Sequence, residues 1–401
     1  MTVDLTDVDL FVDGKHFEVF AGLRKSAPIY FNDSATGTGF WALTTYDDVS
    51  WAYRDHETFG STRGAILGGS FSSAEDTASG RMLVASDLPR HRLLKNQILP
   101  AISAEVTAAV SAQVRELVNK AVANAIADGG CDFATDVATA LPAGALMVIM
   151  GIGQDEAYEL IGMTRRMVGF QDEVFVDTGG DVRLRLAWLQ AEIFEFFADI
   201  ITERRKRPGT DLVSRLLTAE INGHPFTEEE VLYNCMNVAV GGNETSSYTA
   251  CTGLLAFLEH PEQYDLLAHN RVPLDSAIAE ILRYSSTNAY VQRMARHDIR
   301  RRDVHIREGD SVTLWNASAN RDEAQFPNAA AFDVARSPNR HLAYGAGIHR
   351  CIGAHIAQVE LSLVFECILN SGVRFRLAGT PRRLRSNFIL GLTSLPITVE
   401  S

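Results

Sequence analysis

The sequence predicts a mainly α chain with a small β region, on three observations. Apolar residues recur at helical spacing over long stretches, and the longest of these opens on a capping box at Thr227. Strand-like alternation is confined to a patch in the last third and to the C-terminus. Nothing alternates as βαβα, which excludes a doubly wound sheet.

Taken in order, Ile29 to Phe31 and Phe40 to Thr44 are expected as short strands, and Asp47 to Arg54 as a helix. Ala65 to Gly80, rich in Gly, Ser and Ala, is expected as a long surface loop of the functional kind. Ala101 to Ala127 and Leu186 to Arg205 carry strong helical periodicity. Thr227-Glu-Glu-Glu230 starts a helix that continues to Leu258, before Pro261, and a further helix covers Leu274 to Tyr284. Tyr290 to Ala295, Ile299 to Ile306 and Ser311 to Trp315 follow as strands, with Glu308-Gly309-Asp310 as a turn. Residues 318–350, dense in Asn, Pro, Ala and Gly, form an irregular segment. Cys351 to Leu369 is helical again, with Ile352, Ile356, Val359 and Leu363 on one stripe.

Composition narrows the function. The 401 residues include 37 basic and 50 acidic ones, a net charge of −13, which argues against nucleic acid as the main partner. Short basic runs such as Arg204 to Arg207 and Arg300 to Arg302 are expected as solvated helix ends or turns. The five cysteines are scattered and form no Cys-x-x-Cys pair, so no disulfide framework is expected and the chain suits a reducing compartment. The N-terminus is acidic and lacks a leader pattern, and the uncharged stretch Val137 to Gly153 fits a buried helix better than a membrane span. A cytoplasmic protein without membrane attachment is the expectation.

Three motifs carry chemistry. Tyr344-Gly345-Ala-Gly347-Ile-His349-Arg350-Cys351-Ile-Gly353 joins a tight glycine turn to a cysteine at the start of a predicted helix. Such a start lowers a thiol's pKa, and Gly353 leaves a flat spot beside the sulfur, as a planar macrocycle with an axial thiolate requires. A plain buried thiol, or a zinc site made with His349 and His355, remains open at this point. Val240-Gly241-Gly242-Asn243-Glu244-Thr245 places two glycines, each costing about 1 kcal/mol, inside the long helix, the mark of a helix that makes room for a ligand. An acid beside a hydroxyl there can relay protons, although a polar patch or interhelical contact explains the run too. Glu280-Ile-Leu-Arg283, an i, i+3 pair, says little by itself. Dinucleotide loops, a Gly-x-Ser-x-Gly elbow and a His-Glu-x-x-His zinc motif are absent.

Together and in this order, the three motifs resemble those of the cytochrome P-450 family, the haem-thiolate monooxygenases, over about Trp41 to Pro396. The resemblance implies the cytochrome P-450 fold, a single catalytic domain over residues 1–401, and haem b (iron protoporphyrin IX) with Cys351 as its axial thiolate and metal ligand. It implies haem contacts from His91, Lys95, Arg293, His349, Gly345 and Gly353, and a buried network of Glu280, Arg283 and Arg336 behind the Cys loop. Glu244 and Thr245 match the family's acid–alcohol pair for proton delivery. Substrate contacts are implied for Met236, Val240, Gly241, Thr287, Asn288, Val291, Phe388 and Ile389, the loop Ala65 to Ser72, and Met163 to Val176 with Met167, Phe170 and Phe175. Asn243, with Thr287 and Asn288, would orient a polar group of a substrate.

Two positions depart from the family pattern: Tyr344 stands where Phe is usual, and Lys95 where Arg is usual. The implied reaction is oxidation of a small or medium apolar molecule by O2, in secondary metabolism. The alternative is C–C or C–N coupling, cyclisation or desaturation on the same cofactor. Electrons would come from a ferredoxin-type partner steered to basic residues on the Cys351 side, Arg90, Arg92, Lys95, Arg340 and Arg350.

Overall fold

The computed structural model describes residues 3–33, 39–67 and 78–400. The greater part of the expected Gly-rich loop, residues 68–77, lies outside them.

The central element is the helix Glu228–Glu259. Its start follows from the sequence: Thr227 Oγ1 accepts the Glu230 N–H at 3.2 Å, and Glu230 Oε2 accepts the Thr227 N–H at 2.8 Å. Three glutamates in the first turn complement the helix dipole, and the helix stops at His260, before Pro261. Around it pack Ala140–Met150, Gln154–Val168, Val182–Lys206, Leu274–Ser285 and Ala354–Ser371, so most of its length is buried. Gly144 shows why the apolar stretch is rich in small residues. A Cβ there would lie 2.7 Å from the Val114 side chain, so Gly lets Ala140–Met150 press against Ala104–Ala127. The span Phe133–Met150 is apolar and long enough to cross a membrane by composition, yet 78% of it is buried inside the protein.

The main sheet runs in the order Ile29–Asn32, Phe40–Leu43, Ser311–Trp315, Tyr290–Ala295, Phe59–Gly60. Phe40–Leu43 and Ser311–Trp315 are parallel and the other neighbours antiparallel. The register sets Val312 opposite Arg293, which places that arginine on an inner strand.

Of the boundaries that differ from expectation, three have a clear local cause. Ile299 to Ile306 is a hairpin of Ile299–Arg301 and Val304–Ile306, because Arg302 takes a left-handed turn at φ +53°. Ala101 to Ala127 begins with a 3-10 turn, and the helix proper starts at Ala104, where Ser103 caps it. The helix after the Cys loop starts at Ala354, three residues beyond Cys351, whose N–H is taken by the Tyr344 carbonyl at 2.9 Å.

Behind the Cys loop, Glu280 accepts from Arg283 at 2.8 and 2.7 Å, from Arg336 Nε at 3.1 and 3.2 Å, from Asn339 at 3.0 Å and from the Asp333 N–H at 2.9 Å. Arg283 donates onward to the carbonyls of Asn320, Ala329 and Ala331, and Arg336 to those of Pro327, Asn328 and Ala331. Asn320 then accepts the Leu342 N–H at 2.7 Å, two residues before the loop begins. The irregular segment is thus pinned by two arginines serving one fully buried carboxylate. Glu280→Gln, which leaves two buried guanidiniums without a counter-charge, should destabilise the protein by about 3 kcal/mol or more. Chemical denaturation measures this, and a loss below about 1 kcal/mol would show that the network is not structural.

Candidate active site around Cys351

The Cys loop is shaped by two left-handed glycines, Gly345 at φ +64° and Gly347 at φ +69°. A Cβ on Gly347 would sit 2.1 Å from the Tyr53 carbonyl oxygen, so the loop lies directly on the helix Tyr46–Arg54. Tyr53 is itself fixed, its hydroxyl donating to Asn316 Oδ1 at 2.9 Å. Cys351 is exposed on one side. The protein packed behind it pushes its thiol pKa up, while the Gly353 N–H and the charges of Arg350 and Lys95 act the other way. The helix start expected to lower this pKa is replaced by a single N–H and two nearby cations.

A basic cluster lies beside the loop. The rings of His91 and His349 meet edge to face at 4.2 Å, and His349 Nε2 lies 3.0 Å from Ser61 Oγ. Burial first, then neighbouring positive charge, holds His349 at about 2 and His91 at about 4, so both rings are neutral near pH 7. Lys95 donates to the Ile348 carbonyl at 3.3 Å. Arg293 is buried, yet among the described residues its one hydrogen bond goes to the Gln292 carbonyl at 2.7 Å. Burial lowers its pKa, and Tyr53 and the Asp87 carboxylate, neither in a salt bridge with it, draw it only part of the way back.

On the central helix, Gly241 and Gly242 are exposed, and a Cβ on either would meet nothing within 4 Å. Gly353 has the same open space. Thr245 is half-buried and returns its hydroxyl to the Gly241 carbonyl at 3.0 Å. Glu244, the next residue, points elsewhere: it is fully buried, 3.3 Å from Arg165 Nε and 3.4 Å from Thr164 Oγ1. Burial raises its pKa and the Arg165 charge draws it back. Asn243 is also buried and donates to Thr164, so it does not reach the open face.

The other substrate-side positions divide. Val240, Phe175 and Phe388 pack around Val168, Tyr248, Leu384 and Ile389 in one apolar cluster. Met236 is fully buried in the main core, where Met167 also lies with Phe170 packed against it. Thr287 is buried against Thr249 at 2.8 Å, Asn288 accepts from Asn316 at 3.2 Å, and Val291 packs on the sheet core. Of the basic residues placed on the Cys351 face, Arg92, Arg340 and Arg350 are exposed, whereas Arg90 is paired with Glu230.

The sequence reading passed over Arg165, Ser61 and Tyr53. Only Arg165 had a signal: in Gln154–Val168 it falls on the stripe shared by Ile161, Thr164 and Val168, a core-facing place for a cation. Ser61 and Tyr53 reach the site only through tertiary packing.

The donor set fits a flat, anionic, thiolate-ligated group. Gly353 beside the cysteine and Gly241 and Gly242 on the central helix are bordered by open space, and a buried guanidinium and two neutral imidazoles form no salt bridge among the described residues. A zinc site has no such support, since no group of three or more metal-ligating side chains occurs among the described residues.

Comparison with known proteins agrees. The cytochrome P450 family model matches residues 13–396. Linalool 8-monooxygenase of Pseudomonas putida is 30% identical, the match covering 99% of this chain and 98% of that one. A methyl-branched lipid omega-hydroxylase of Mycobacterium bovis is 33% identical over 94% of this chain and 90% of that one. Among solved structures, a Mycobacterium marinum cytochrome P450 in complex with pseudoionone superposes with a TM-score of 0.89 at 27% identity, covering 99% and 98% of the two chains. P450 OxyD, involved in the biosynthesis of vancomycin-type antibiotics, gives 0.88 at 28% identity over the whole of both chains.

Gly347→Ala tests the loop geometry. The added methyl meets both a disfavoured φ and the Tyr53 carbonyl, so the expected outcome is a loss of about 2 kcal/mol or more and weakened haem retention. Thermal melting and haem content check it; wild-type values for both would show that the loop does not depend on Tyr53.

Proposed function

Because the chain belongs to the cytochrome P450 family, we propose that it inserts one oxygen atom from O2 into a small or medium apolar molecule, as a single catalytic domain in the cytoplasm. The observation that carries this reading is the buried Arg293, which makes no salt bridge among the described residues, in the electrostatic reach of His349 and His91 near the exposed Cys351. When bound, haem b with a thiolate ligand supplies reductive activation of oxygen. Cys351 provides that thiolate. Arg293, His91, His349 and Lys95 would hold the propionates, and the burial of Arg293 and His91 would strengthen their bonds to an anion. Gly353, Gly241 and Gly242, each bordered by open space, would leave room for the ring, whereas Gly345 packs the loop on Tyr53.

Thr245 Oγ1, tied to the Gly241 carbonyl, is the hydroxyl that presents a proton at the open face. Glu244 stores the proton inside the protein, its carboxyl raised by burial and restrained by Arg165. Val240, Phe175, Phe388 and Ile389 form an apolar wall suited to a substrate without charge. That wall agrees with the linalool and pseudoionone named for two of the similar proteins. The likeness to P450 OxyD supports a place in secondary metabolism, and with it a second reading, oxidative coupling, cyclisation or desaturation on the same cofactor. A ferredoxin-type protein delivers the electrons at the face of Arg92, Arg340 and Arg350, a local basic exception on a chain of charge −13.

Two measurements test this. The reduced, CO-bound protein should show the red-shifted thiolate Soret band, and Cys351→Ala should lose it; its survival in the variant would end the assignment. Turnover under labelled dioxygen should place one labelled atom in the product, whereas an unlabelled product selects the coupling reading. For the partner, Arg92→Glu should slow reduction by an acidic ferredoxin by about tenfold at low salt and leave the haem spectrum unmoved. Unchanged kinetics would remove that face from the docking surface.

A further inference from the structure

A cavity of about 80 Å³ lies apart from the Cys351 site, between the helix His16–Ser26, the second half of the central helix and the C-terminal turn around Gly391. Its charged lining is Arg321, Arg383 and Glu259, with His16, Thr252, Tyr284 and Ser285 as further polar groups. Arg321 is a cation without a carboxylate partner among the described residues. Its guanidinium lies between the rings of Phe17, at 4.0 Å, and Tyr284, at 4.3 Å, and donates to the carbonyls of Ala330 and Tyr284 at 3.4 and 3.2 Å. A guanidinium has about five N–H donors, so beyond these carbonyls and the Tyr284 side chain some of its capacity is left over. Burial first and the nearby Arg283 charge pull its pKa down to about 10, with Tyr284 and the more distant Glu280 acting the other way.

His16 supplies a separate observation. It is 2% exposed and stacked on Phe11 at 4.9 Å, and neither ring nitrogen makes a hydrogen bond of normal geometry, although the Leu10 carbonyl is close enough to raise its pKa somewhat. Burial dominates and holds it at about 3, so the ring is neutral at pH 7 and keeps one N–H to give. A buried, unsatisfied ring beside an unsatisfied guanidinium is costly unless something answers both. Two arginines against one exposed glutamate leave the lining net positive.

We propose that this cavity binds a small oxyanion, a carboxylate or a phosphate, held by the guanidiniums of Arg321 and Arg383 with the His16 ring N–H as a further donor. A planar fork of N–H groups matches two oxygens of such an anion, and the rings of Phe11, Phe17 and Tyr284 exclude water and strengthen the contact. The site has a consequence for the substrate wall. Leu384, Leu390 and Gly391 line the cavity, while Phe388 and Ile389 of the same turn belong to the apolar cluster with Val240 and Phe175. An anion in the cavity braces this turn from behind.

The test is calorimetric titration of the haem-loaded protein with inorganic phosphate and, separately, with acetate, at ionic strength held constant with sodium chloride. Saturable one-to-one binding of at least one anion is expected, weakened about tenfold in Arg383→Gln, which alters an exposed side chain and should fold normally. The His16 imidazole nitrogen resonances should shift on binding while the Soret band stays in place. Phosphate binding without acetate binding, or the reverse, identifies the oxyanion class. The proposal is overturned if neither anion binds above the chloride background, if Arg383→Gln binds as the wild type does, or if binding leaves His16 unmoved.

Discussion

Glu280 sits with no exposed surface and faces two arginines that are also buried, so three charged groups have been taken out of water together. Desolvation on that scale is tolerated only when each charge finds a counter-charge and its remaining donors find carbonyls. The network meets both conditions by drawing in backbone carbonyls from 320–331, a stretch with little regular structure of its own. The arginines therefore do for this segment what ladder hydrogen bonds do for a sheet. Through Asn320 and Leu342 the order reaches the Cys loop, which is pressed against Tyr53 by the absence of side chains at Gly345 and Gly347. A loop held from behind by charge and from the side by close packing can present one sulfur in one place.

The other side of the site follows the opposite rule. Arg293 and His91 are buried and His349 is half-buried, each with few partners, and their pKa values are all depressed. Such an arrangement is unfavourable in isolation and becomes favourable when an anion arrives, which is how a protein prepares a strong binding site. The contrast between satisfied charge behind the loop and unsatisfied charge beside it separates scaffold from site.

The central helix connects these regions to the apolar wall. Glu244 and Thr245 are neighbours in sequence, but about 100° of helical rotation sends one to Arg165 and the other to the open groove. Asp172 joins the segment after Gln154–Val168 to the C-terminal turn, accepting the N–H groups of Val174 and Arg385 at 3.0 and 3.1 Å. That join is what brings Phe175 to Phe388 across 213 residues of chain.

The sequence by itself determined most of the long helices and the inner strands, because period, caps and turn residues are local properties, while helices such as His16–Ser26 and Gln154–Val168 were not expected from it. It also determined the cysteine loop, whose glycines leave a mark at fixed spacing, and the presence of Glu280, Arg283 and Arg336, which are legible as a set through their resemblance to a family pattern. Tertiary structure decided the rest. No local rule shows that Met236 and Asn243 face the core, that Arg90 is spent on Glu230, or that the helix after Cys351 waits until Ala354. Nor does the sequence show that Arg165 answers Glu244, or that Arg321, Arg383 and His16 share one cavity, since each pairing joins distant segments. The physical reason is that burial and charge compensation depend on what packs across a side chain, and that neighbour is fixed only when the whole chain has folded.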